Sequence, residues 1–183
     1  AVCAVTSPLP VAEARIAVDA VAIADDRGQQ VVLQSSDKAA DGKDRADTAL
    51  MPRGGVVYLS GQVDKSPLAE ATVNSMNKLL DLIEQLGLQP SQIVQVKVFV
   101  DSITATDTVL AGLHKALPDQ TLPPVTLVEW IASAPIEIEA VVHLPRANWR
   151  GGETLSFYTP SDVKPSPTFS RVAVVQTDRQ IYL

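Results

Sequence analysis

Val56-Val57-Tyr58-Leu59-Ser60-Gly61-Gln62 is a short run rich in β-branched and aromatic residues, and Gly61 stops it. Pro67 stands one residue after Ser66, as proline does in the first turn of a helix behind a serine cap. Ala69, Val73, Met76, Leu80 and Ile83 follow at spacings of three and four. That periodicity predicts an amphipathic helix of about 20 residues, ending near Gly87. Next comes Ile93 to Val100, with Val94, Val96, Val98 and Val100 on one face and Gln95 and Lys97 on the other. Such alternation marks a strand with one face on a core. Asp107 to Leu117 reads as a second, shorter helix carrying Val109, Leu110 and Leu113. Val125 to Ile131 and Ile136 to Leu144 read as two further strands. The order β-α-β-α-β-β, with the helices on one face, predicts an α+β sandwich.

Outward from this block the chain is less regular. Residues 25–54 hold Asp25-Asp26-Arg27-Gly28 and the charged run Asp37 to Asp44, and read as turns and an exposed loop. Residues 145–170 carry Pro145, Pro160, Pro165 and Pro167 and read as a linker. Two internal matches cross these flanks. Shifted by 120 positions, Val5, Thr6, Ala12, Ala14, Ile16, Ala20 and Val21 fall on identical residues at Val125, Thr126, Ala132, Ala134, Ile136, Ala140 and Val141. Shifted by 124, Tyr182 and Leu183 fall on Tyr58 and Leu59. Four parts are therefore expected: residues 1–24 as the last strands of a preceding copy; 25–49 as a loop with a first strand; 50–146 as a complete domain; 147–183 as a linker and the first strands of another copy. Unrelated β-rich extensions are the alternative. The start Ala1-Val2-Cys3-Ala4-Val5 has neither an initiator Met nor a basic segment, and reads as a break inside a longer tandem protein.

Composition limits the function classes. The chain has 183 residues, 46% of them hydrophobic and 20% charged, the balance of a folded protein. Its net charge is −6 and its pI about 4.8, which disfavours general binding to a phosphate backbone. A single cysteine, Cys3, excludes an intrachain disulfide framework. No apolar run approaches the roughly 20 residues of a membrane helix. No address signal is seen, so the cytoplasm is the default compartment.

The central block resembles the RidA family, also called YjgF or endoribonuclease L-PSP. The resemblance rests on Val57-Tyr58-Leu59-Ser60-Gly61-Gln62 before a long helix and Val96-Lys97-Val98-Phe99-Val100-Asp101 after it. It closes with Leu122-Pro123-Pro124-Val125-Thr126-Leu127-Val128-Glu129 and Ile136-Glu137-Ile138-Glu139-Ala140. It implies a chorismate-mutase-like α+β fold, a mixed sheet with two helices on one face. It also implies a trimer, or a pseudotrimer of tandem copies, with ligand sites in the clefts between subunits. The implied activity is hydrolysis of reactive enamines and imines with release of ammonia, using an arginine that clamps the substrate carboxylate.

The sequence departs from the family at that clamp. Val125 stands at the arginine's position, and valine cannot bind a carboxylate. Asp47 aligns near the family's tyrosine, Leu110 with its asparagine and Leu127 with its cysteine. Ser60, Gly61 and the carboxylate of Glu137 remain. The expected protein is thus an arginine-less relative that binds a small, neutral or apolar metabolite, with Glu137 catalytic and Ser60, Gly61, Val125 and Thr126 lining the cleft. A divergent hydrolase of imines, enamines or amides is one reading; an inactive scaffold copy in a pseudotrimer is the other. No cofactor, metal, nucleic acid or membrane partner is expected.

The remaining candidates have plainer readings. Glu137 and Glu139 share one strand face, which could equally be solvated; Ser60 and Gly61 could be a simple strand-end turn. Glu129 and Trp130 could reach the same cleft, though Trp130 reads first as packing. His114 suits a solvated helix face. His143 has no second ligand at metal spacing, and Cys3 has no basic neighbour to activate it. The acidic balance and the lack of a histidine pair argue against a ribonuclease.

Overall fold

Strand β3, Gly55–Asp64, is the spine of the molecule, and it is longer than the apolar run alone suggests. The computed structural model describes residues 28–35 and 45–178, with isolated positions before residue 23. Gly61 does not stop β3. The strand passes through it with a register irregularity between Leu59 and Gln62. A bulge of this kind re-aims side chains without ending the ladder.

After β3 come α1 (Leu68–Gln85), β4 (Ile93–Val100), α2 (Thr106–Ala116), β5 (Val125–Glu129) and β6 (Ile136–Leu144). This is the β-α-β-α-β-β order expected from the periodicities. Two strands precede it, β1 (Val32–Gln34) and β2 (Thr48–Leu50), and two follow, β7 (Leu155–Tyr158) and β8 (Val172–Val175). The main sheet has the order β5-β4-β6-β3-β8-β7. Only β4 and β5 run parallel; the other pairs are antiparallel. Strands β1 and β2 pair with each other in a separate two-stranded sheet. The fold is α+β, a mixed sheet with both helices on one face. The stretch 145–170, read from its prolines as a linker, is only partly one, because β7 lies inside it.

The core lies between the helices and the sheet. Met76, Leu79 and Ile83 of α1 and Val109 and Leu113 of α2 meet Val57, Leu59, Val96, Val98, Ile138 and Val142 of the strands. The predicted stripe of α1 is rotated. Ala69 is exposed and Val73 and Leu80 half-buried, whereas Thr72, Ser75, Met76, Leu79, Leu82 and Ile83 face inward. The seam with α2 is the cause: small polar residues belong on it, since Thr72 returns its hydroxyl to the Leu68 carbonyl at 2.7 Å. Ser66 does not cap α1. Pro67 is itself the N-cap residue, and the Ser66 amide donates to Asp64 Oδ1 at 3.0 Å. Gly87 closes the helix in the left-handed region, with φ +73. Its amide reaches Glu84 and that of Leu88 reaches Ile83, the paired bonds of a Schellman ending. In β4 a register shift between Ile93 and Gln95 takes Val94 out of phase, so Ile93 is the buried residue and Val94 is half-buried.

Gly112 fixes the approach of α2 to α1. A Cβ there would lie 2.7 Å from Thr72 Cγ2 and 2.8 Å from Thr72 Cβ. Gly112→Val must push the helices apart and is expected to lower stability by about 1–3 kcal/mol, read as a drop in the urea midpoint. An unchanged midpoint would show that the seam is looser than this contact implies.

The run Asp37 to Asp44, Cys3, the matched positions from Val5 to Ile16, and Tyr182 and Leu183 lie outside the described residues.

Candidate functional site

Side chains alternate across a strand, so the residues between the core positions project from the face without helices. On this face lie Tyr58, Lys97, Glu139 and Ala173, which line a shallow hollow of about 170 Å³ together with Ser60 and Ser170. Lys97 is the direct cross-strand neighbour of Glu139 on β6 and of Thr126 on β5. Phe99 is opposite Glu137. The Trp130 ring meets Phe99 edge-on, with centroids 5.3 Å apart.

The β3 bulge organises the end of this face. Glu137 folds its carboxylate over Gly61 so closely that any Cβ at Gly61 would overlap Oε1. Only glycine leaves room for that carboxylate. Ser60 donates its amide to the Arg171 carbonyl at 2.9 Å. The Ser60 hydroxyl is buried with no hydrogen-bond partner.

Arg171 is the residue that sequence reasoning missed. Its Nη1 donates to the Gly61 carbonyl at 3.3 Å, and its Nε and Nη2 each donate to the Lys164 carbonyl at 3.4 Å. The guanidinium lies 4.9 Å from the centroid of the Phe169 ring. Three backbone contacts and an aromatic face thus hold the cation beside Glu137. Burial raises the pKa of Glu137, the negative charge of Glu139 raises it further, and Arg171 partly opposes both. A carboxyl group raised in this way is better matched to taking a proton near neutral pH than an ordinary one.

The site therefore unites Ser60, Gly61 and Glu137. It does not include Val125 and Thr126 of the same chain. These begin β5, three strands from β3, or about 14 Å at the usual strand spacing. Thr126 instead accepts a 3.4 Å hydrogen bond from Gln95 Nε2. Glu129 is occupied elsewhere: its Oε2 accepts the Ile103 amide at 2.8 Å. Lys97, Arg171, Glu137 and Glu139 make this face of the single chain a charged one. His143 is buried, and burial holds its pKa below the ordinary value; Nε2 has no hydrogen-bond partner. His114 is half-buried in the last turn of α2, where a basic residue suits the helix dipole. Among the described residues no group of three His, Cys, Asp or Glu could hold a metal ion, and no helix is long and apolar enough to cross a membrane. A larger hollow, about 840 Å³, is an open groove between α1 and α2 on the far side of the molecule, lined by Ala69, Val73, Ala111 and Gly112 among others.

The raised pKa of Glu137 sets a pH dependence. The folded state holds this proton more tightly than the unfolded chain, whose carboxyl has the ordinary value of 4.5. Stability is therefore lost as pH rises from 4.5 through the folded-state value. Glu137→Gln is expected to have a higher urea midpoint than the parent at neutral pH, with the gap closing as pH falls to 4.5. A gap independent of pH would contradict this.

Residues 48–144 match the endoribonuclease L-PSP family, just over half of the chain. Among solved structures, the YyfB protein of the conserved Rid family from Yersinia pestis is 14% identical, with a TM-score of 0.54, covering 63% of this chain and 99% of its own. A YjgF-family protein from Mycobacterium tuberculosis is 20% identical, with a TM-score of 0.45, covering 62% of this chain and 99% of its own. TdcF from E. coli, solved with bound serine, is 19% identical, with a TM-score of 0.46, covering 56% of this chain and 95% of its own. No curated protein matches the chain.

Proposed function

The chain belongs to the RidA/YjgF family, described as endoribonuclease L-PSP, and on that premise we propose that the face at the β3 bulge binds a small metabolite and hydrolyses an imine, enamine or related amide. The observation that carries this reading is the Glu137 carboxylate, seated over Gly61 beside the fixed guanidinium of Arg171. In the proposed reaction Glu137 accepts a proton from water as the water oxygen bonds to the imine carbon. Glu137 passes that proton to the nitrogen, giving a carbinolamine, and then relays the hydroxyl proton to the nitrogen as the C–N bond breaks, so that ammonia leaves, the carbon becomes a carbonyl and Glu137 is again a carboxylate. No change of oxidation state is involved. Arg171 supplies the positive charge that Val125 cannot, so the ligand carries a carboxylate or another anionic group.

One subunit holds only part of this site. Ligand pockets usually enclose about 300–1,000 Å³, more than the hollow beside Tyr58 and Ser60 provides. The face also leaves Tyr58 and Phe157 exposed. In our reading a second RidA-like copy, in a homotrimer or a tandem pseudotrimer, covers the face and brings its own Val125 and Thr126 to the rim. Residues 50–146 then form the family unit of this chain, with pieces of neighbouring copies at 1–24 and 147–183.

NMR titration with a 2-oxo acid, the product of imine hydrolysis, tests the site. The expected result is shifts clustered at the amides of Ser60, Gly61, Glu137 and Arg171, weakened about tenfold or more in affinity by Arg171→Ala, as loss of a charge-assisted contact implies. Shifts confined to the α1–α2 groove would overturn it. The inactive-scaffold reading is favoured by Val125 and by the small hollow. It predicts no shifts at any concentration.

A further inference from the structure

Helix α2 carries a self-complementary ridge. Asp107, Ala111 and Lys115 stand four residues apart, so they follow one another along one side of the helix, and all three are exposed. Read from its N-terminus, the ridge is acid, small, base. A second copy of α2 laid against it in the opposite direction reads base, small, acid. The setting of the ridge is a groove. Strands β3 and β4 both run antiparallel to β6 and so parallel to each other, which makes the helices that follow them, α1 and α2, parallel too. Gly112 lets the two helices approach closely, and the small side chains of Ala69 and Ala111, with Val73, leave the open hollow of about 840 Å³ between them. Its charged residues are Glu70, Asp107 and Lys115. Among the described residues the ion pairs are Lys78 with Asp64 and Arg146 with Asp178, so Asp107 and Lys115 are not spent within the chain.

We propose that this helical face is a two-fold interface between two copies of the chain, with α2 of each copy seated in the α1–α2 groove of the other. Such an interface is isologous: if one residue meets a second across it, the second meets the first. An axis at Ala111 satisfies that condition for the whole ridge. Asp107 meets Lys115 of the second copy, Ala111 meets Ala111, and Lys115 meets Asp107, so one residue pairing supplies two ion pairs. Ridges of residues four apart interdigitate when two helices cross at about −50°, the commonest packing angle. Alanine at the crossing lets the helices approach to the near end of the usual 8–10 Å range. A shift of the axis by one turn would set like charges together or leave them unmatched, and the charges therefore fix the register.

The face is small. Helices of 18 and 11 residues, each about 10 Å wide at 1.5 Å of rise per residue, offer roughly 400 Å² of flat area per copy. Stable complexes bury about 800 Å² per partner, so the pair is reversible and forms with rising concentration. It lies on the other side of the sheet from Glu137. The contact therefore leaves the hydrolytic face free, and it does not rest on the function proposed above.

Charge reversal tests the two-fold pairing. Sedimentation velocity of the full chain over a concentration series is expected to show a reversible rise in mass that weakens as salt screens the two ion pairs. Asp107→Lys alone, or Lys115→Asp alone, turns both attractive pairs into repulsive ones and should weaken this association about tenfold or more. An equimolar mixture of the two variants should restore it to the parent level, because every contact between unlike chains again sets an acid against a base. Damage to the fold cannot be mended by mixing. A rise in mass that ignores both reversals, the absence of any rise in the parent, or a mixture no stronger than either variant would overturn the proposal. A cysteine on the axis gives a second readout that leaves the charges in place. In the chain with Cys3→Ser, Ala111→Cys is expected to form a bridge between position 111 of two chains in a glutathione buffer, since facing residues at so close an approach suit a disulfide. Asp107→Lys should lower its yield several-fold. A thiol at position 111 that stays free or carries only glutathione would also overturn the proposal.

Discussion

Glu137→Gln is expected to slow imine hydrolysis by about 10²–10⁴-fold, the usual contribution of a positioned proton acceptor. Glutamine keeps the shape over Gly61 but cannot take the proton from water. Because the same substitution is expected to raise stability at neutral pH, a loss of turnover cannot be ascribed to unfolding. Ammonia release measured beside a urea midpoint gives both quantities for one protein. Turnover within a factor of two of the parent would remove Glu137 from the chemistry and leave it as a face residue paired electrostatically with Arg171.

The second large effect is structural. Leu79 is fully buried in the middle of α1, within the cluster that joins the helices to β3, β4 and β6. Leu79→Ala removes apolar contact and leaves a cavity between two rigid layers, at an expected cost of about 2–5 kcal/mol. Because domains of this size are stabilised by only about 5–15 kcal/mol in total, the urea midpoint should fall steeply. A change below about 1 kcal/mol would mean that the sheet and helix close over the gap, which the packing of Met76 and Ile83 on either side opposes.

Local periodicity made the central block legible. The spacing from Val73 to Ile83 and the alternation from Val96 to Val100 each reflect one element against one core, and both helices and four strands stand where those patterns put them. Errors arose where a neighbouring element sets the answer. Gly61 looked like a stop because glycine weakens strands; it is a bulge because Glu137, far along the chain, needs the space of a missing side chain. The stripe of α1 was rotated because α2 presses Gly112 against Thr72, a contact that no spacing in α1 announces. Val94 dropped out of phase at a bulge that β6 imposes.

The candidate site divides in the same way. Ser60, Gly61 and Glu137 were legible from the family motifs. Arg171 was not, for it reaches Gly61 only through the pairing of β8 with β3, and a sequence does not state which of several β-rich runs takes a given edge. One signal was present: the 124-residue offset sets Arg171 on Asp47, near the family's tyrosine position. Val125 stands at the position of the family's clamp, whereas the guanidinium beside Gly61 is that of Arg171, which lies just before β8.

The central claim is that Glu137 and Arg171 form one hydrolytic site for an anionic ligand. It is tested most directly by ammonia release from a 2-imino acid and from its methyl ester, generated in situ, with the parent chain and with Arg171→Ala. The account predicts faster release from the free acid than from the ester with the parent, and no preference with Arg171→Ala. Release at the buffer rate from both substrates, or an acid preference that survives Arg171→Ala, would contradict it.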